Sequence, residues 1–218
     1  MAISLNSTEQ RVLGVLIEKS LAVPAYYPLT LNAVLAACNQ KSNRDPVMEL
    51  TEGEVATALH SLRQWQLVSQ APPDRNSRSN RFQHEAEARF GWNAAQRALM
   101  AELLLRGPQT LGELKTRASR MTHLESMDYA HDLLKELMRT DPPQVVERPR
   151  YPGQSTTRFA QLLGDAPPAP AVFNIPTIRP SPAAAPSSDA ALEPRVCNLE
   201  RQLAELQEEL RSIRDRLG

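Results

Sequence analysis

Apolar residues recur at three- and four-residue spacings in six stretches of the first 140 residues: STEQRVLGVLIEKS, TLNAVLAACNQK, TEGEVATALHSLRQWQLV, NAAQRALMAELLLRG, TLGELKTRAS and MDYAHDLLKELMRT. That period places one apolar stripe on each of six helices. Their starts are marked by side chains that satisfy unpaired backbone N–H groups. Ser7/Gln10, Thr51/Glu54, Thr110/Glu113 and Thr122/Glu125 have capping-box spacing, and Asn93/Gln96 is the version with Asn as the cap. After the third and sixth stretches the pattern shortens to candidate strands. Leu67 to Ala71 and Arg81 to His84 flank one turn rich in Pro, Asn and Ser, and Gln144 to Arg148 and Thr156 to Phe159 flank another.

The stretches form a repeat. Gln10-Arg11 corresponds to Gln96-Arg97, and Thr30-Leu31 to Thr110-Leu111. Val55, Ala58, Leu59 and Leu62 correspond to Ala130, Leu133, Leu134 and Leu137, and Leu67-Val68 to Val145-Val146. Three helices followed by a β-hairpin, twice over, predict a mainly α fold with small β-hairpins (α+β), built as two tandem winged helix-turn-helix domains. The expected boundaries are 1–90 and 91–164, followed by a Pro/Ala-rich linker at 165–192 and a coiled-coil helix at 193–218.

The linker has eight prolines and no glycine between Asp165 and Pro194, a composition suited to extended polyproline II backbone. Val172, Phe173, Ile175 and Ile178 put an apolar patch inside it. Beyond it, Val196, Leu203, Leu210 and Leu217 occupy heptad a positions, and Leu199, Leu206 and Ile213 occupy d. Glu209 at g faces Arg214 at e in a parallel pair. The seam predicts a parallel homodimer.

Charge then narrows the chemistry. Lys+Arg and Asp+Glu are 25 each, so the basic surplus common in dedicated nucleic-acid binders is missing overall. The two cysteines, Cys38 and Cys197, have no metal-ligand spacing. His60, His84, His123 and His131 are scattered, and Asp128 with His131 is only a fragment of a metal site. No Gly-rich phosphate loop or nucleophile–base set stands out. The expectation is a non-enzymatic protein without metal or cofactor. The opening residues lack the blocks of a signal peptide, and no apolar run approaches the ~18 residues of a membrane helix, so a cytoplasmic location is expected.

The segment ACNQKSNRDPVM from Ala37 to Met48, with Tyr27-Pro28-Leu29 before it and LLLRGPQTLGELKTRASRM from Leu103 to Met121, resembles the YceH-like family of bacterial proteins with two tandem winged-helix domains. The resemblance spans roughly residues 5 to 163. It implies the fold and brings no activity, ligand or catalytic residue. Read from its own residues, Ala37–Met48 joins two helices. Cys38, Asn39, Asn43 and Asp45 can brace a turn, Pro46 blocks further helix, and Lys41 and Arg44 add positive charge.

Two functional readings follow. In a helix-turn-helix the outer face of the third helix enters the major groove. In the first half, Val55, Ala58, Leu59, Leu62 and Trp65 are expected to turn inward. The outer face is then Gly53, Thr57, His60, Ser61 and Gln64, of which Thr57, His60, Ser61 and Gln64 are candidates for base contacts. Arg75, Arg78 and Arg81 in the hairpin, with Lys41 and Arg44, are candidates for duplex backbone contacts. In the second half Met127, Ala130, Leu134 and Leu137 are expected inward. Glu125, Asp128, Asp132 and Glu136 then face outward, which repels a phosphate channel, although Arg148, Arg150 and Arg158 lie in its hairpin. The first reading is a homodimeric DNA-binding regulator. The alternative is a scaffold whose winged helices dock a protein partner.

Overall fold

In the computed structural model, residues 3–71, 80–150 and 156–164 are described. Asn6 opens the first helix, α1 (Ser7–Ala22): its side chain accepts the Glu9 N–H at 2.9 Å, and the Glu9 carboxylate accepts the Asn6 N–H at 2.8 Å. The box therefore sits one residue ahead of the expected Ser7/Gln10 pair, because Gln10 turns inward and donates to the Leu5 carbonyl. The boxes at Thr51/Glu54, Asn93/Gln96 and Thr110/Glu113 start α3 (Glu52–Gln64), α5 (Ala94–Arg106) and α6 (Leu111–Ala118) as expected. Thr30 caps α2 (Leu31–Cys38). The cap of α7 (Met127–Arg139) is Ser126, not Thr122. Thr122 belongs to the end of α6, where its N–H is taken by the Ala118 carbonyl.

Three helices followed by a hairpin occur twice. In the first repeat β2 (Val68–Ala71) pairs antiparallel with β3 (Arg81–His84), and the short β1 (Leu29–Thr30) adds to the other edge of β3. In the second, β4 (Val145–Arg148) pairs with β5 (Arg158–Gln161), and a single bridge between Gln109 and Phe159 stands where β1 stands in the first. The ladders align Val68 with Val145, one residue from the match read off the sequence, because Ala71 faces Arg81 as Arg148 faces Arg158. A helix not expected from the sequence, α4 (Ala86–Phe90), joins the repeats and ends at Gly91, whose φ of +72° is the left-handed conformation glycine adopts freely. The described residues are thus α+β and mainly α, with seven helices and two small antiparallel sheets.

The repeats share one hydrophobic core. Residues 9–18 of α1 and 95–105 of α5, with the exception of Arg97, are buried on every face, because each helix is covered by its own repeat and by the other. Gly14 permits the close approach: a Cβ there would lie 3.0 to 3.1 Å from side-chain atoms of Leu104 and Leu105. The chain ends of the described body are tied together as well. Leu5 N–H donates to the Leu163 carbonyl at 2.8 Å, and Gln161 donates to Gln10 at 3.0 Å. The boundary near residue 90 therefore separates two repeats but not two cores.

Candidate functional site

The apolar stripe of α3 is buried as its spacing requires, with Val55, Ala58, Leu59 and Leu62 all 4% exposed or less and Trp65 partly buried against the core. Thr57, His60 and Gln64 are exposed, while Ser61 is half-buried. The Thr57 hydroxyl donates to the Gly53 carbonyl at 2.8 Å, and the His60 ring lies 3.2 Å from the Gln64 amide nitrogen. The helix thus presents neutral donors and acceptors that have only local partners. At its N-terminal end a cleft of about 430 Å³ lies between the starts of α1 and α3, bordered by Asn6, Glu9, Thr51, Glu54 and Thr57. Its cap groups are already satisfied by one another, and Glu52 and Glu54 make that end acidic.

The basic candidates divide. Lys41 is exposed. Arg44 is not available as a surface contact: it is 5% exposed and its guanidinium is bonded to Glu18, Gln40 and the carbonyls of Ala37 and Asn43. An arginine on a turn defaults to solvent unless a buried acid faces it, and Glu18 does so from 26 residues away. Arg81 is half-buried, and its Nη1 donates to the Pro28 carbonyl at 3.0 Å, pinning β3 to the residue before β1. Arg158 repeats that bond to Pro108 at 3.2 Å in the second half. Arg75 and Arg78 lie outside the described residues, as do the linker patch and the seam of Val196, Leu199, Leu203, Leu206, Leu210, Ile213 and Leu217.

Ala37–Met48 turns out to be a bracket. Asn39 makes two bonds to the Leu50 backbone, each 2.8 Å. Arg11, itself 2% exposed, reaches over from α1 to the carbonyls of Cys38 at 3.0 Å and Pro46 at 2.5 Å. The segment also grips the second repeat. Asp45 N–H donates to the Leu105 carbonyl at 2.9 Å, and the Asn43 side-chain oxygen accepts from both Arg106 and Arg120, the latter at 3.2 Å. Burial pushes the Cys38 thiol up to about 12, which makes it a packing group rather than a nucleophile.

The sequence did not expose this junction, since its members come from three separate segments. Arg106 also pairs with Glu102 at 3.1 Å, and Arg117 donates to Gln109 at 2.5 Å while lying 3.7 Å from Glu113. Burial raises the Glu102 carboxyl despite Arg106 beside it.

On α7, Ala130, Leu134 and Leu137 are buried as expected, but Met127 is 42% exposed. It occupies the first position of the helix, beyond the edge of the core, and Leu133 fills the stripe instead. Glu125, Asp128, Asp132 and Glu136 are exposed. Lys135 lies 3.4 Å from Asp132, and Gln96 donates to Glu136 at 3.0 Å. Among the described residues no group of three or more His, Cys, Asp or Glu is placed to hold a metal, and no helix is long and apolar enough to cross a membrane.

A family model described as "Protein of unknown function, DUF480" matches residues 5–154, which hold both helical triplets, α3 and the bracket. The chain belongs to this family. DUF480 relatives are bacterial. A UPF0502 protein of Geobacter sulfurreducens is 51% identical over 167 residues, 77% of this chain and 75% of that protein. One from Koribacter versatilis is 45% identical over 174 residues, covering 79% and 80%. A UPF0502 protein of Citrifermentans bemidjiense is 39% identical over 218 residues, 100% of this chain and 94% of its own length, so that similarity extends through the tail.

Proposed function

We propose that this DUF480 protein is a cytoplasmic, homodimeric, tandem winged-helix regulator that binds duplex DNA through α3. The winged-helix reading, which the YceH-like resemblance also implies, is supported by the repeated order of three helices and an antiparallel hairpin with a short strand or bridge added at its edge. The observation that carries the DNA reading is the outer face of α3. Thr57, His60 and Gln64 stand exposed on the helix that such folds place in the major groove, and an exposed Gln can pair with adenine. Arg75 and Arg78 in the hairpin, and exposed Lys41, would contact phosphates. Arg44 and Arg81 have structural work instead. The heptad tail would pair two copies and so present two α3 helices to one duplex, and no catalytic step or cofactor is required.

A gel shift with random-sequence duplex at ~50 mM salt tests the proposal, because several phosphate contacts give measurable non-specific affinity under those conditions. Retarded complex at micromolar protein is expected. Free duplex at every concentration overturns it.

A second reading, a protein-docking scaffold, is favoured by α7. Met127 and Tyr129 are 42% and 38% exposed beside Asp128 and Asp132, a pattern suited to a basic, apolar protein surface. A pull-down comparing wild type with Met127→Asp and Tyr129→Asp separates the two. Loss of a protein partner in these variants favours docking, and recovery of nucleic acid alone counts against it.

A further inference from the structure

The junction between the repeats concentrates positive charge in a chain whose net charge is zero. Arg106 from the end of α5 and Arg120 from the turn after α6 both donate to a single neutral oxygen, the side-chain oxygen of Asn43. Arg117 lies in the last turn of α6, and its carbonyl accepts from the Arg120 Nε at 3.3 Å. Two guanidinium groups that meet at one uncharged acceptor repel each other, and an amide oxygen does little to offset that. Of the acids nearby, Glu102 and Glu113 pair with the cluster, and none is bonded to Arg120 among the described contacts. Glu18 is held by Arg44 and Lys19. Glu113 is shared between Arg117 and Arg158, and Glu102 pairs with Arg106 at 3.1 Å. Asp45 adds one exposed negative charge to the same segment, and Lys41 one exposed positive charge. Solvent reaches these side chains, since those of Arg106 and Arg117 are 17% and 30% exposed and Arg120 is exposed.

We infer that Arg106 and Arg120, with Arg117 at the end of α6, form a phosphate-binding site in which an anionic oxygen bridges the two guanidinium groups now gathered at Asn43. Planar guanidinium forks suit phosphate oxygens, and an anion adds counter-charge where Glu102 and Glu113 offset only part of the charge of Arg106, Arg117, Arg120 and Arg158. That the phosphate belongs to a duplex backbone rests on the proposed function; that the site takes a phosphate does not. On the duplex reading, the junction grips the backbone at a point separate from α3, and the rigid union of the repeats fixes the span between them.

Full-length protein is titrated with two probes, a labelled random-sequence duplex over a range of salt concentrations and inorganic pyrophosphate by calorimetry. Wild type is compared with the double variant Arg117→Ala/Arg120→Ala and with Arg120→Glu, each first checked by thermal melting. Arg120 lies at the surface, whereas Arg117 is half-buried and bonded to Gln109, so the single charge reversal at Arg120 serves if the double variant melts early. The expected result is pyrophosphate binding by wild type that both variants lose. For the duplex, the log-affinity against log-salt slope should be shallower by about two in the double variant, one counterion per lost contact. Arginine-dependent pyrophosphate binding with no duplex binding leaves the site standing as one for a small phosphate and overturns the DNA function. Duplex binding with an unchanged slope and no arginine-dependent pyrophosphate binding overturns the site and leaves the DNA function standing. Absence of both binding events overturns both.

Discussion

Arg44 and Glu18 form a two-point ion pair inside the first repeat, with Nη1 donating to one carboxylate oxygen at 3.1 Å and Nη2 to the other at 2.6 Å. Both residues are less than a tenth exposed. The pair ties the turn after α2 to α1, and the same turn carries Asn43 and Asp45 to the second repeat. Removing one partner of such a pair leaves the other charge buried and uncompensated. Arg44→Ala is expected to lower stability by about 3–5 kcal/mol, measured by urea unfolding. A loss under 1 kcal/mol would mean that the pair is solvated in solution.

The contact between α1 and α5 depends on a missing side chain. Gly14→Val places branched carbons where Leu104 and Leu105 already stand. Overpacking of this kind costs about 1–3 kcal/mol. Because the two helices belong to different repeats, the melting transition is expected to stay single and move down. A split into two transitions would show that the repeats unfold separately.

His84 supplies a pH dependence. Its Nδ1 accepts the Ala86 N–H at 3.3 Å and its Nε2 lies 2.8 Å from the Ser20 hydroxyl, so the fold favours the neutral ring. Burial, with the positive charge of Arg97 adding to it, lowers its pKa to about 4 from an ordinary 6.5. Between those values the unfolded chain binds more protons than the folded one. The contribution of His84 is therefore complete above about pH 6.5 and is lost as pH falls toward 4. The loss is about 2 kcal/mol once the ring's partial exposure is allowed for. Unfolding free energy measured from pH 7 to pH 4 should fall less steeply in His84→Gln than in wild type. Parallel curves would contradict this assignment.

The repeat and most helix starts were legible because each rests on local chemistry. Thr51, Asn93 and Thr110 satisfy N–H groups three residues away, and α3 and α7 each hold their first buried stripe residue, Val55 and Ala130, at the same helical position. What escaped was long-range. The runs VLGVLI in α1 and ALMAELLL in α5 are apolar all round, wider than one stripe requires. That width is the sign of helices covered on two sides. Arg44 read as a surface cation because its partner lies in another helix, and the gathering of Arg106 and Arg120 at Asn43 exists only once the repeats are packed. Met127 fits the helical period, but the period says nothing about where the core ends.

The heptad tail makes a separate prediction about assembly. Leu203→Asp/Leu210→Asp puts carboxylates at two a positions, where each faces its own copy in a parallel pair. Sedimentation is expected to show a dimer for wild type at tens of micromolar protein and a folded monomer for the double variant. A monomeric wild type would contradict the dimer, and an unchanged dimer in the variant would locate the contact outside the tail.

Photo-crosslinking shows whether α3 meets duplex DNA. Benzoylphenylalanine replaces Gln64 on α3 in one protein and Asp132 on α7 in another, both at exposed helix positions. Each protein is irradiated with labelled random-sequence duplex at low salt. The account predicts a covalent DNA adduct from position 64 and none from position 132. Adducts from position 132 with none from position 64 would contradict it.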